Sequence, residues 1–178
     1  SKGGATAAGV WAAHQTVPLN ITGYGRLIGS SIETAQRFRK FLKKLKFDIN
    51  GKTVEVYPLD NPDFNMVDWV LKVDGETDLE KTNKLNEKMF NMSSFYDSRV
   101  YSNLFLTSHT IFKKDTYGDS PVPFIERMGF TKDDWEKVGS VTLLRAAIMT
   151  PFLHETKTFE FYTEGIAKAM GEKLQQIL

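Results

Sequence analysis

Between residues 30 and 57 an amphipathic-helix pattern runs straight into a hairpin pattern, and that pairing constrains this chain more than any other feature. Ala35, Phe38, Leu42 and Leu45 recur at three- and four-residue spacing, with Phe41 beside them, which lays one apolar stripe along a helix over residues 31–46. Ser30-Ser31-Ile32-Glu33 has the spacing of a capping box, so the helix is expected to open there. Asn50-Gly51 then separates Phe47-Asp48-Ile49 from Lys52-Thr53-Val54-Glu55-Val56-Tyr57, and Asn-Gly suits the positive backbone dihedrals of a two-residue hairpin turn. A helix with one apolar side needs a surface to cover. Phe38, Leu42 and Leu45 are therefore expected to pack on the sheet that holds Val54, Val56 and Trp69.

Met66 to Val73 supplies a third strand, ending at Asp74-Gly75, and three strands suffice for a small antiparallel sheet with one buried face. Thr77-Asp78-Leu79-Glu80 opens a further helix carrying Leu79, Leu85, Met89 and Phe90 to about Met92. Residues 99–112 fit both a helix and a strand and are read as helix, and residues 113–123 read as a surface loop. Thr131 caps a helix expected to run through Trp135, Val138, Val141, Leu144 and Ile148 to the stop at Pro151, and a last helix covers 159–178. This order predicts an α+β fold: a mostly helical single domain over residues 30–178, with a small antiparallel sheet made of the hairpin and a third strand, preceded by an N-terminal arm over residues 1–29.

The arm is rich in Gly, Ala and Ser and reads as extended or partly helical. It is too poor in large apolar residues to form a core, yet Trp11, Leu19, Ile21 and Tyr24 are costly to leave in water, so these four are the candidate subunit contacts. Gly23, Gly25 and Gly29 lack the spacing of a dinucleotide loop: Leu27 stands where a glycine is needed, and the next element is a hairpin.

Composition removes other classes. With 178 residues the chain is long enough to fold by core packing, burying about 70% of the surface of its unfolded form. The absence of Cys excludes disulfides, thiolate nucleophiles and cysteine-based metal sites. No apolar run reaches the 18 or more residues of a membrane-spanning helix. Ser1 to Ala5 lack the apolar segment of a secretory signal, which leaves the compartment open. His14, His109 and His154 never fall at i, i+4 spacing, and the acidic residues form no calcium loop, so no metal and no cofactor is expected. His154-Glu155 reads as a solvated helix start, and the G-x-S-x-G pattern of a serine nucleophile is missing.

Lys plus Arg exceed Asp plus Glu by one, 23 against 22, so strong charge is local. It is concentrated on the helix over 31–46, where Arg37, Arg39, Lys40, Lys43, Lys44 and Lys46 form the candidate anion-contact face. Such a face suits a nucleic-acid backbone, an anionic membrane, or solvent and a neighbouring subunit. Polar residues spent on caps and surfaces point to a non-enzymatic subunit of a larger assembly, coat-like, nucleoprotein-like or accessory. Its partners would be other protein subunits and, through the basic face, nucleic acid. A stand-alone nucleic-acid-binding protein and an enzyme with a dispersed site are the alternatives.

Overall fold

A computed structural model describes residues 3–60, 62–94 and 107–178. Among these the chain forms α1 (Ala5–Thr16), α2 (Tyr24–Leu42), β1 (Lys46–Ile49), β2 (Lys52–Pro58), β3 (Met66–Val73) and α3 (Leu79–Asn91). There follow β4 (Ser108–Lys113), α4 (Lys114–Tyr117), α5 (Val122–Arg127), α6 (Lys132–Val138), β5 (Ser140–Ala147), a 3-10 turn (Pro151–His154) and α7 (Thr156–Ile177). The α+β class is as expected, and the sheet grows to five antiparallel strands in the order β1-β2-β3-β5-β4.

The helix and hairpin behave as their pattern requires. Asn50 and Gly51 both sit at positive φ, 52° and 76°, and the turn sets β1 on β2 from Lys46↔Glu55 to Ile49↔Lys52. Ala35, Phe38 and Leu42 of α2 are buried against Val54, Val56, Leu71 and Trp69, with Leu45 partly buried beside them and Met170 and Leu174 of α7 closing the cluster. Phe38 meets the Trp69 ring edge-on, centroids 6.0 Å apart.

Four expectations are corrected. Helix α2 opens at Tyr24 and not at Ser30, because an Asn20 turn holds the preceding chain: Asn20 Oδ1 accepts from the Thr22 and Gly23 amides at 3.0 Å each. Here a Cβ on Gly23 would lie 2.0 Å from the Pro18 carbonyl oxygen, so close approach explains this glycine without a cofactor. Ser30 and Ser31 lie within the helix, Ser31 bonding back to the Leu27 carbonyl at 3.3 Å. Residues 108–112, read as helix, belong to β4, whereas residues 99–106 lie outside the described residues. The segment 113–123, read as loop, contains the one-turn helix α4.

The fourth correction is the largest. The helix capped by Thr131 ends at Val138, where Gly139 adopts φ 70° and turns the chain into β5. Val141, Thr142, Leu143 and Leu144 are all buried, because β5 is covered on both faces. A strand buried on both faces loses its alternation, so its apolar residues were read at helical spacing.

Two hydrophobic clusters sandwich the sheet. One is the α2–α7 cluster. The other joins Val70, Val141 and Leu143 to Phe124, Ile125, Met128, Phe130 and Trp135 from the α5–α6 region. Helix α3 serves both, giving Leu79 to the second and Leu85 and Met89 to the first. It can do so because the sheet parts beneath it. Strand β3 pairs with β5 only from Met66↔Ala147 to Trp69↔Leu144. Beyond that point Asn86 takes both main-chain groups of Leu71 at 2.8 Å, while Asn83 accepts from the Thr142 amide at 2.9 Å and donates to the Ser140 carbonyl at 3.0 Å. Two side-chain amides thus replace the ladder.

Candidate functional site

The six cations of the expected basic face do not stay together. Helix α2 ends at Leu42, so Lys43 is its cap, Lys44 lies in the following turn and Lys46 opens β1. Arg37 leans toward α7, donating to the His154 carbonyl at 2.6 Å and stacking its guanidinium 4.3 Å from the centre of the Phe159 ring. Arg39 turns the other way and donates through Nε to the Leu59 carbonyl at 2.7 Å. These two arginines are struts between elements, a role the charge pattern did not reveal. Lys40, Lys43 and Lys44 remain exposed.

Arg39, Lys43 and Lys46 converge on one side, where they meet Arg127 of α5 around a cleft of about 260 Å³. The cleft lies where β1 stops. Strand β1 pairs no farther along β2 than Lys46↔Glu55, whereas β3 follows β2 on to Pro58↔Trp69. Leu45, Val56 and Pro58 supply apolar lining. Arg127 donates to the Pro58 carbonyl at 2.9 Å and to Asp60 at 2.5 Å, so with Arg39 it ties down the chain leaving β2. Glu55 accepts from Lys46 at 2.6 Å and from the Tyr57 hydroxyl at 2.6 Å. The Lys46 bond first, then the Tyr57 bond, hold the Glu55 carboxyl below its ordinary range. Burial first, then the Glu55 bond, push the Tyr57 phenol up to about 12.

The second notable region is apolar. Helix α1 buries none of its residues, leaving Val10 and Trp11 in solvent, Trp11 at 66% exposure. Of the other expected contacts, Leu19 and Ile21 are exposed, Ile21 at 81%, and Tyr24 is half-buried with its ring edge-on to His14 at 6.0 Å. Two grooves continue this surface. Leu27, Ile28, Phe64 and Met149 line one, and Ile21, Leu27 and Phe152 line the other, with Pro151 shared. The 3-10 turn beside them is strapped to α2 through its carbonyls, Ser30 donating to the Pro151 oxygen and Arg37 to the His154 oxygen at 2.6 Å each, while His154 Nδ1 lies 2.6 Å from the Pro151 oxygen within the turn. Glu155 caps α7 by accepting from the Lys157 and Thr158 amides, and the Thr158 bonds lead in holding its carboxyl below the ordinary range. His154 and Glu155 are therefore spent on structure.

Among the described residues no three His, Cys, Asp or Glu side chains are grouped to hold a metal, and no helix is long and apolar enough to cross a membrane. Asp68 is the most enclosed carboxylate with a shifted pKa. Burial raises it, and the Arg145 bond at 2.8 Å across the β3–β5 pair works against that rise.

Comparison with known proteins shows which family this fold belongs to. The chain is 61% identical over all 178 residues to an L-tyrosine decarboxylase of Enterococcus faecium, which it covers for only 29% of that protein's length. It is 48% identical over 177 residues to L-tyrosine decarboxylases of Levilactobacillus brevis and Enterococcus faecalis, covering 99% of this chain and 28% of each relative. The chain thus spans less than a third of the curated relatives it matches. This overturns the expectation of a coat, nucleoprotein or accessory assembly subunit, and of a stand-alone nucleic-acid binder. The family described as "Tyrosine decarboxylase, C-terminal" matches residues 34–174, from the buried face of α2 to Leu174 in the core, and the chain belongs to that family.

Proposed function

We propose that this chain serves as the C-terminal domain of an enzyme that decarboxylates L-tyrosine, and that its apolar face seats it on the rest of that enzyme. The observation that carries the reading is 61% identity along the whole chain to a protein named L-tyrosine decarboxylase, more than two thirds of which lies outside the match. In that reaction the bond between the α-carbon and the carboxyl carbon breaks, carbon dioxide leaves, and a proton takes its place. The described residues assemble no nucleophile–base pair in a cleft, so the reacting groups are assigned to the remainder of the polypeptide.

An apolar surface of this extent is unusual on a free-standing protein. Trp11, Leu19, Ile21 and Tyr24 belong to it in this reading, together with Ile28, Met149 and Phe152. The occupant proposed is the remainder of the same decarboxylase. The test is carbon dioxide release from L-tyrosine by the full-length enzyme, in wild type and with Ile28→Asp and Phe152→Asp together. Activity in wild type and a loss of at least about tenfold in the variant are expected, since two charges would have to be desolvated at the seat. No release from L-tyrosine by the wild type overturns the substrate. Unchanged activity in the variant overturns the seat.

A further inference from the structure

The cleft at the end of β1 is not used by the proposed seat, and its chemistry is that of an anion site. Arg39, Lys43, Lys46 and Arg127 surround it; among the described residues Glu55 pairs with Lys46 and Asp60 with the two arginines, while Asp48 and Asp74 act on Lys46 more weakly. Glu55 is spent on Lys46 and Tyr57. Asp60 lies outward, its side chain 78% exposed, bonded to Arg127 and 3.8 Å from Arg39. Protection of the sheet edge accounts for the arginines, which hold the Pro58 and Leu59 carbonyls. It does not account for Lys43, whose side chain makes no hydrogen bond or ion pair among the described residues and still lines the cleft. Like charges gathered around a concave, partly apolar wall focus a positive field inward, where water screens it less than on an open face.

We infer that this cleft binds a small organic anion, its carboxylate or phosphate oxygens held by Lys43, Arg39 and Lys46 and its short apolar body resting on Leu45, Val56 and Pro58. The volume of about 260 Å³ suits a small ligand, just below the range of drug-sized pockets. Lys43 supplies a free ammonium, and Arg39 keeps NH1 available after its Nε and NH2 are engaged. Unlike the substrate reading, this inference concerns binding alone.

Lys43 and Lys44 provide a matched pair for the test: adjacent, exposed and of equal charge, with only Lys43 in the cleft. Butyrate and inorganic phosphate would be titrated calorimetrically, at constant ionic strength, into the full-length protein as wild type, Lys43→Gln and Lys44→Gln. Saturable binding at one site per chain is expected for at least one probe, weakened about tenfold by Lys43→Gln and left within about twofold by Lys44→Gln, because only the former removes a charge-assisted hydrogen bond. Whether butyrate or phosphate binds tighter separates a carboxylate ligand from a phosphate one. Absence of saturable binding for both probes, or equal weakening by the two variants, would overturn the site. Since the readout is heat of binding, a missing decarboxylase activity leaves this result interpretable, and a failed titration leaves the substrate reading standing.

Discussion

The two flanks of β3 are held by different chemistry. Toward β2 the main chain pairs from Val54↔Val73 to Pro58↔Trp69, and the ladder bonds belong to the backbone. Toward β5 the ladder stops after Trp69↔Leu144, and Asn83 and Asn86 of α3 carry the bonding onward. Backbone ladders tolerate any side chain that fits the pleat. The amide-filled side depends on two particular residues, both buried, because an unpaired buried main-chain group costs about 1–3 kcal/mol. A sheet can therefore be pried apart by a helix without exposing unpaired backbone, provided the helix brings its own donors and acceptors.

The sharpest way to break this contrast is Asn86→Ala. It leaves the Leu71 amide and carbonyl buried and unpaired and removes the bond to the Thr82 carbonyl, so a loss of about 4 kcal/mol in urea unfolding is expected. A loss below about 0.5 kcal/mol would show that the amide does not hold the seam. Leu42→Ala tests the opposite side of the sheet by packing alone. It should cost about 3 kcal/mol, within the usual range for a large-to-small change at a fully buried leucine. Hydrogen exchange separates the two variants. Asn86→Ala should speed exchange first at Leu71, whereas Leu42→Ala should lower protection across β1, β2 and β3 together.

Smaller effects sharpen the same comparison. Thr131 and Asp134 form a reciprocal capping box on α6, which packs Trp135 against the β5 side. Thr131→Ala should cost about 1 kcal/mol, read as a lowered thermal midpoint with an unchanged fold. On the β1–β2 side, the depressed Glu55 carboxyl contributes stability that is present above its unfolded value of 4.5 and lost as pH falls through its lower folded value. Glu55→Gln should therefore be less stable than wild type at pH 7, and the difference should shrink as pH falls below 4.5 and vanish once the pH has passed the lower folded value. The same substitution removes an acceptor and a negative charge from Tyr57. Its phenol, identified by difference against Tyr57→Phe in alkaline ultraviolet titration, should ionise below the value of about 12 that it has in wild type. An unmoved titration would show that burial alone sets it.

The contrast also explains what could be read in advance. The α2 stripe, the Asn50-Gly51 turn and the Thr131 box are local patterns, and each appears in the structure where its residues stand. Asn83 and Asn86 carried no signal, because a polar residue within a helix pattern reads as its solvent face until the helix is docked. The candidate cations were found by charge density. Their division into the Arg37 and Arg39 struts and the Lys43 cleft depends on which carbonyls lie nearby. Membership of the tyrosine decarboxylase C-terminal family had no spacing signal in this chain, and the candidate contacts Trp11, Leu19 and Ile21 are exposed.

By itself the sequence determined the α+β class, the hairpin, the helix that covers it and the buried identities of Phe38 and Leu42, because each rests on contacts or periodicities spanning a few residues. Only the tertiary structure decided that Val141 to Leu144 form a strand, that β3 and β5 part, and that the basic residues divide between struts and a cleft. Covering a strand on both faces erases its alternation, and the partners of Asn86 and Arg39 lie 15 and 20 residues away, beyond the reach of local spacing.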